Sequence, residues 1–294
     1  MFGFFNIAKP SGPTSHDIVD QVRQLLGRGV KVGHAGTLDP FADGVLAVCV
    51  GPATRLADYV QSRPKRYAAR VSLGAVSATD DPEGPITPTP GAAPPLRQAV
   101  EEALAAMVGE IQQSPPAHSA VHVNGNRAYK LARKGKELDI PPRPVVVHEI
   151  RLARYEWPVL EIDVRCGGGT YIRALARDIG KSLGVGGYCA ALTRTEVGPF
   201  HLDQAKKVEA LDVQNDLIGP LAALEGLLQV TLTDEDARRI GLGQSVMLRQ
   251  PAPSGQAAVL GASGELIAIA NLEDDGLTLR PDKVFPARPD LERQ

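Results

Sequence analysis

The chain is short of cysteine and of aromatic residues, and it has no long apolar run. Its 294 residues include three cysteines, Cys49, Cys166 and Cys189, an odd and widely spaced set. That pattern offers no disulfide framework and reads as buried free thiols in a reducing compartment. No stretch of about 18 apolar residues occurs, so no membrane-spanning helix is expected. The start, MFGFFNIAKPSG, lacks the charged segment and apolar run of a secretory signal. The expected setting is therefore the cytoplasm, away from membranes. Neither sign of charge dominates: 32 Lys and Arg oppose 34 Asp and Glu, a net charge of −2. This excludes a histone-like polycation but not nucleic-acid binding, which depends on where charge sits. Phosphate-loop signatures are missing too: the GKS at 180–182 has Leu175 where a phosphate loop needs glycine, and no GxGxxG accompanies the triple glycine at 167–169. His118 and His122 lack a third ligand nearby and follow two prolines, so no metal is expected.

What is present is unevenly distributed. Residues 1–210 carry a net charge of +4 and residues 211–294 a net charge of −6, which suggests two modules. Thr14 and Asp17 form a capping-box-like pair ahead of an apolar stripe, Ile18, Val19, Val22, Leu25 and Leu26, and Gly27 ends that helix. Segment 32–44 is Gly-rich and aperiodic, a loop. Segments 45–51, 66–74 and 160–166 read as strands, with Tyr67, Ala69, Val71 and Leu73 sharing one face of the second. Residues 80–95 contain six prolines and read as a surface loop, residues 97–109 as a helix, and residues 170–184 as a helix with Thr170 near its N-cap. Beyond about 228, short strands alternate with Gly, Asp and Ser turns. The expected fold class is α+β. A catalytic domain (1–227) would hold a mixed, largely antiparallel sheet flanked by helices, followed by a small β-barrel (228–294).

The most informative segment is GHAGTLDPFADGVL (33–46). Asp39 precedes a proline, which forces extended backbone and keeps it out of a helix. Leu38 and Phe41 flank it with apolar surface. A carboxylate on such a loop, just before a buried strand, suits a catalytic pocket. The same residue type also suits an Asp-Pro turn with a side-chain-to-backbone hydrogen bond. The segment 114–144 is polar and basic: within 124–143, Arg127, Lys130, Arg133, Lys134, Lys136 and Arg143 oppose only Glu137 and Asp139. It reads as a solvated charged face or, with Tyr129 and an Asn-Gly turn, as a grip on RNA phosphates. Arg63, Lys65, Arg66 and Arg70 form a second basic cluster beside Tyr67.

Five segments in order resemble the motifs of the TruB family of tRNA pseudouridine synthases: NIAKPSGPTSHDIV (6–19), GHAGTLDPFADGVL, KRYAARVSLG (65–74), QQSPPAHSAVHVNGNRAYKLARKG (112–135) and CGGGTYIRALARDIG (166–180). The C-terminal piece resembles a PUA domain. The resemblance implies conversion of uridine 55 in the TΨC stem-loop of tRNA to pseudouridine. This is an isomerisation that needs no redox cofactor, ATP or metal, and no protein partner. Asp39 would be the catalytic carboxylate. Arg173 would pair with it and hold its pKa down. Tyr67 would stack on the flipped-out base, with Tyr171 at the pocket edge. His34 would sit near the extruded nucleotides, Leu192 would line the pocket, and Lys9 and Pro10 would support the catalytic loop. The basic insertion would grip the tRNA. Other readings remain at this point: a guide-RNA-dependent synthase, a tRNA-binding or folding protein without required chemistry, and a nucleoside hydrolase.

Overall fold

The structure is a computed structural model. It describes residues 1–117, 119, 122–123, 126–127 and 140–285, with only the strand backbone at 122–123 and 126–127. Lys130, Arg133, Lys134 and Lys136, the side chain of Arg127, and His118 lie outside the described residues.

In chain order the strands of the first part are β1 Gly3–Lys9, β2 Val32–His34, β3 Asp43–Val50, β4 Lys65–Leu73, β5 Ala75–Ser77, β6 Ile86–Pro88, β7 Gly109–Gln113, β8 His122–Val123, β9 Asn126–Arg127, β10 Arg143–Glu156, β11 Val159–Cys166, β12 Gly187–Val197 and β13 Phe200–His201. Its helices are α1 Ser15–Leu26, α2 Ala57–Gln61, α3 Arg97–Ala105 and α4 Ile172–Ser182. The main sheet runs β1-β3-β12-β4-β11-β10-β7, with β2 and β13 at its side. Its pairings are antiparallel except β3 with β12, which run parallel. The sheet is thus mixed and largely antiparallel, as expected.

The continuous apolar run of β3 has a simple cause: both of its faces are covered. Val45, Ala47 and Cys49 enter one core cluster, while Leu46, Val48 and Val50 enter another on the opposite face. Helix α1 lays Ile18, Val19 and Val22 into that second cluster. Its capping box forms as the sequence indicates, Thr14 Oγ1 accepting from Asp17 N–H at 3.1 Å and Asp17 Oδ2 accepting from Thr14 N–H at 2.8 Å. Leu25 departs from the expected stripe and is 48% exposed, because the stripe is narrower than five residues. Helix α4 packs Leu175, Ala176 and Ile179 against Tyr67, Ala69, Val71 and Leu73 of β4. Its end closes on β12 so tightly that a Cβ on Gly180 would lie 2.3 Å from Gly187 N. Thr170 does not cap α4. The N-cap is Tyr171, whose N–H donates to Gln113 Oε1 at 2.8 Å. All three cysteines are buried and free.

The second part comprises β14 Leu228–Thr231, α5 Asp234–Gly241, β15 Val246–Met247, β16 Gly255–Leu260, β17 Leu266–Leu272 and β18 Thr278–Val284. The strands form a five-stranded sheet, β14-β16-β17-β18-β15, bent by register shifts at Val259/Leu260 and Ile269/Ala270 into a half-barrel. One face packs on α5 through Ala257, Val259, Ala268 and Ile240. The other face joins the core of the first part through Ala258, Leu260, Leu266, Ile269 and Phe285, beside Phe4 and Ala47. The two parts thus share one apolar core. Each fully buried Leu, Ile or Phe there contributes roughly 1.5–3 kcal/mol.

Candidate active site

A cleft of about 470 Å³ opens between the loop entering β3 and the start of α4, walled by β4 and β12. Leu38, Asp39, Tyr67, Tyr171, Arg173 and Leu192 all line it. A second cavity, about 400 Å³, lies between Phe2, residues 218–222 and residues 264–267. It is mostly apolar with one carboxylate, Glu265, and offers no paired reacting groups, so the chemistry points to the first.

The loop carrying Asp39 is held from several sides. Ser15 Oγ accepts from Leu38 N–H at 2.8 Å and donates to Leu38 C=O at 2.9 Å. The buried Lys9 ammonium donates to the carbonyls of Pro10 and Pro13, both at 2.8 Å, and of Pro40 at 3.4 Å. Lys9 therefore ties Pro40 of this loop to β1, while Pro10 contributes a carbonyl to the same ammonium. Arg194, 2% exposed, donates to the carbonyls of Val45 (2.8 Å), Thr37 (3.1 Å) and Gly36 (3.2 Å). Gly44 lets β12 come this close: its φ is +108°, and a Cβ there would lie 2.2 Å from Arg194 O. Gly44→Ala is accordingly expected to lower Tm by several degrees and kcat/KM with it, read by thermal unfolding and initial rates.

Arg173 grips Asp39 with two nitrogens, Nε to Oδ2 at 2.9 Å and an amino nitrogen to Oδ1 at 3.1 Å. Its other amino nitrogen reaches Asp81 Oδ2 at 2.7 Å and Thr79 O at 3.1 Å. Arg173 is 4% exposed, Asp81 2%, and Asp39 31%. One guanidinium thus bridges two carboxylates, and only Asp39 has access to the cleft. The expected lowering of the Asp39 pKa is not the net result. Burial pushes the carboxyl above its ordinary 3.8 and Asp81 adds to the rise, while Arg173 and Arg194 oppose without prevailing.

Asp81 was hidden in the proline-rich stretch read as a surface loop. That stretch instead turns inward at Asp80, whose φ is +62°, and pairs β6 with β5. The available signal was an Asp-Pro dipeptide at 81–82 repeating that of 39–40. One turn along α4, Arg177 binds Asp80 at 2.8 Å and Ser114 O at 2.9 Å, joining the same helix face to two loops.

The tyrosines differ in setting. Tyr67 is 8% exposed, and burial raises its hydroxyl pKa further, so it presents a neutral phenol ring. Tyr171 is fixed by Gln113, which also donates to its carbonyl at 3.1 Å. The Arg143 guanidinium lies 5.2 Å from the Tyr171 ring centre and donates to Gly169 O at 2.8 Å. Arg143 therefore stands at the rim of the cleft. His34, on β2, is not among the lining residues. Its Nδ1 is buried without a partner among the described residues, and burial, Arg194 and His16 lower its pKa, so it is neutral at pH 7.

The second basic cluster does not form one surface. Alternate residues of a strand face opposite ways. Arg66 pairs with Asp163 (2.8 Å) and Glu149 (3.0 Å), and Arg70 with Glu161 (2.9 Å), on the face away from Tyr67. Arg63 donates to carbonyls of residues 223 and 225. Lys65 lies on the Tyr67 face, lines the cleft and donates to Gln61 O and Arg63 O, its pKa lowered to about 8 by burial.

No group of three or more His, Cys, Asp or Glu residues that could hold a metal occurs among the described residues. Among them, no helix is long and apolar enough to cross a membrane.

Known proteins resemble this chain over most of its length. Residues 23–172 match the TruB family pseudouridylate synthase N-terminal domain, and residues 173–225 match the tRNA pseudouridylate synthase B C-terminal domain. The chain is 40% identical over 297 residues to tRNA pseudouridine synthase B of Arthrobacter sp. (strain FB24), covering 96% of each chain. It is 41% identical to the protein of that name from Gloeothece citriformis (strain PCC 7424), covering 94% of each. Among solved structures, a Cbf5-Nop10-Gar1 complex aligns over 98% of this chain and 86% of the other, with 25% identity and a TM-score of 0.74. The motifs, the fold and the relatives agree, and the chain belongs to the TruB family of pseudouridylate synthases.

Proposed function

We propose that the protein converts uridine 55 of the tRNA TΨC stem-loop to pseudouridine in the cytoplasm, with Asp39 as the catalytic carboxylate. The observation that carries this reading is the Asp39–Arg173 pair at the wall of a cleft lined by Tyr67, Tyr171 and Leu192. A uridine inside a stacked loop cannot reach Asp39. It must be flipped out, at a cost of roughly a few kcal/mol, which favours a loop nucleotide over a paired one. Tyr67 offers the flipped base a stacking face and Leu192 an apolar wall. Arg173 orients the carboxylate and compensates its charge, leaving one side of Asp39 open to the nucleotide.

Ionised Asp39 then acts in one of two ways. It attacks the nucleotide directly, or it removes a sugar proton on a glycal path. Either way the C1′–N1 bond breaks, the uracil turns within the cleft, and C1′ joins C5. On the direct path the Asp39–C1′ bond, formed as C1′–N1 breaks, is itself broken when C5 bonds C1′; on the glycal path the C2′ proton taken by Asp39 is returned to C2′ as that bond forms. In both, the C5 proton is released to water and N1 takes one up, so the product is an isomer of the substrate and no outside oxidant or reductant enters. Residues 1–227 would hold this chemistry and residues 228–294 would add a PUA-like contact surface. The relatives' name, tRNA pseudouridine synthase B, supports tRNA as the substrate over a guide-RNA assembly.

The test is direct. Unmodified tRNA is incubated with the protein and pseudouridine is mapped by position. Modification at 55 is expected. Release of free uracil would instead mark a hydrolase. For the insertion, charge reversal at Lys130 and Arg133 is expected to raise KM more than it lowers kcat. It should also flatten the salt dependence of binding by about one unit of log–log slope for each phosphate left unneutralised. Unchanged KM in steady-state kinetics would show that these residues do not touch the RNA.

A further inference from the structure

We propose that Ser119 is a substrate-binding residue, its hydroxyl hydrogen-bonding the nucleotide held in the cleft. The inference rests on the reading of the cleft given above. Ser119 lines the cleft and is 4% exposed. Its Oγ is shielded from solvent and has no hydrogen-bond partner among the described residues. A buried hydroxyl in that state has lost its water without gaining a protein partner, so the free protein carries an unmet cost.

The cationic side chains of the cleft are occupied. The Arg194 nitrogens serve the carbonyls of Gly36, Thr37 and Val45, and those of Arg173 serve two carboxylates and Thr79 O. The ammonium of Lys65 serves two carbonyls. Ser119 Oγ, like Thr170 Oγ1 in the same cleft, has no partner among the described residues. The hydroxyl can donate to a phosphate or carbonyl oxygen, or accept from a ribose hydroxyl or the uracil N3–H.

The placement is built by the fold. Strand β7 pairs with β10 and ends at Gln113, which clamps Tyr171. Arg177 of α4 then holds the carbonyl of Ser114. Pro115 and Pro116, both buried, stiffen the approach to Ser119. The helix that presents Arg173 to Asp39 therefore also anchors the segment that presents Ser119. A polar group positioned before substrate arrives loses little freedom on binding.

Ser119→Ala separates this role from a structural one. Removing an unsatisfied hydroxyl leaves Tm unchanged or raises it, whereas removing a hydroxyl satisfied within the fold lowers it. Kinetics on a tRNA stem-loop substrate are expected to show KM raised about 2- to 12-fold, the range of one neutral hydrogen bond, with kcat within about twofold. Unchanged KM, or a Tm lowered by several degrees, would overturn the assignment. Wild-type protein assayed in parallel keeps the two readings apart. If it makes no pseudouridine, the reading of the cleft fails; if it is active and Ser119→Ala matches it, only the role of Ser119 fails.

Discussion

Asp39→Asn protein is expected to form no measurable pseudouridine while still binding tRNA and folding normally. Asparagine keeps an oxygen that can accept from Arg173, so the geometry of the loop survives. It cannot attack the nucleotide or take up a proton, and losing such a group costs on the order of 10³-fold or more in kcat. Stability should hold for a reason of sign. A carboxyl whose folded pKa lies above its unfolded value costs stability at neutral pH and regains it as pH falls through the folded value. Asp39 is such a group, raised above 3.8 by burial, so neutralising it removes a cost. Arg173 keeps its contacts with Asp81 and Thr79 O. Tm is expected within about 4 °C of wild type. In the wild type the same raised pKa places the acid limb of the kcat/KM profile above 3.8, because activity needs the ionised carboxylate. Normal turnover by Asp39→Asn would move the catalytic role to another group. Loss of tRNA binding would show that Asp39 shapes the site as well as reacting in it.

Arg173→Met should damage both stability and catalysis. It leaves Asp81, 2% exposed, without its ion-pair partner and facing a second carboxylate at Asp39. Removing one member of a buried pair costs about 3–5 kcal/mol, since the remaining charge stays desolvated. At about 2–4 °C per kcal/mol, the fall in Tm is roughly 6–20 °C. Adding Asp81→Asn should recover much of that stability and none of the activity, because Asp39 still lacks the group that orients it. Arg173→Lys should be nearly inactive while retaining more stability, since an ammonium cannot reproduce the two-nitrogen grip on Asp39 together with the contacts to Asp81 and Thr79. If the Arg173→Met and Asp81→Asn double variant melts as low as Arg173→Met alone, the bridge between the carboxylates is not what Arg173 contributes to the fold.

How far the site was legible differs by residue. Asp39 could be found because its signal is local: Asp-Pro on a glycine-rich loop before an apolar strand. Tyr67 and Lys65 share a face because strand periodicity is local too. Asp81 could not be weighed from its neighbours, since six prolines in sixteen residues describe a surface loop well and its burial depends on a partner 92 positions away. Ser119 is equally silent as sequence, one serine in a polar basic stretch. The cluster at 63–70 misled for a related reason. Its spacing said basic, but which charges pair depended on β11 supplying Glu161 and Asp163 and on β10 supplying Glu149.

The sequence by itself determined several elements and the candidate carboxylate: the capped first helix, the apolar strand β3, the change to short strands after 228, and the pocket motifs in order. These follow from periodicity, capping and turn chemistry, which act over a few residues. Only the tertiary structure decided the electrostatics. It made Arg173 a bridge between Asp39 and Asp81, left the Asp39 carboxyl raised, spent Arg66 and Arg70 on the sheet's other face, and set Ser119 in the cleft without a partner among the described residues. Desolvation and ion pairing depend on what distant segments bring within about 4 Å, and contacts at that range arise only when the chain is folded.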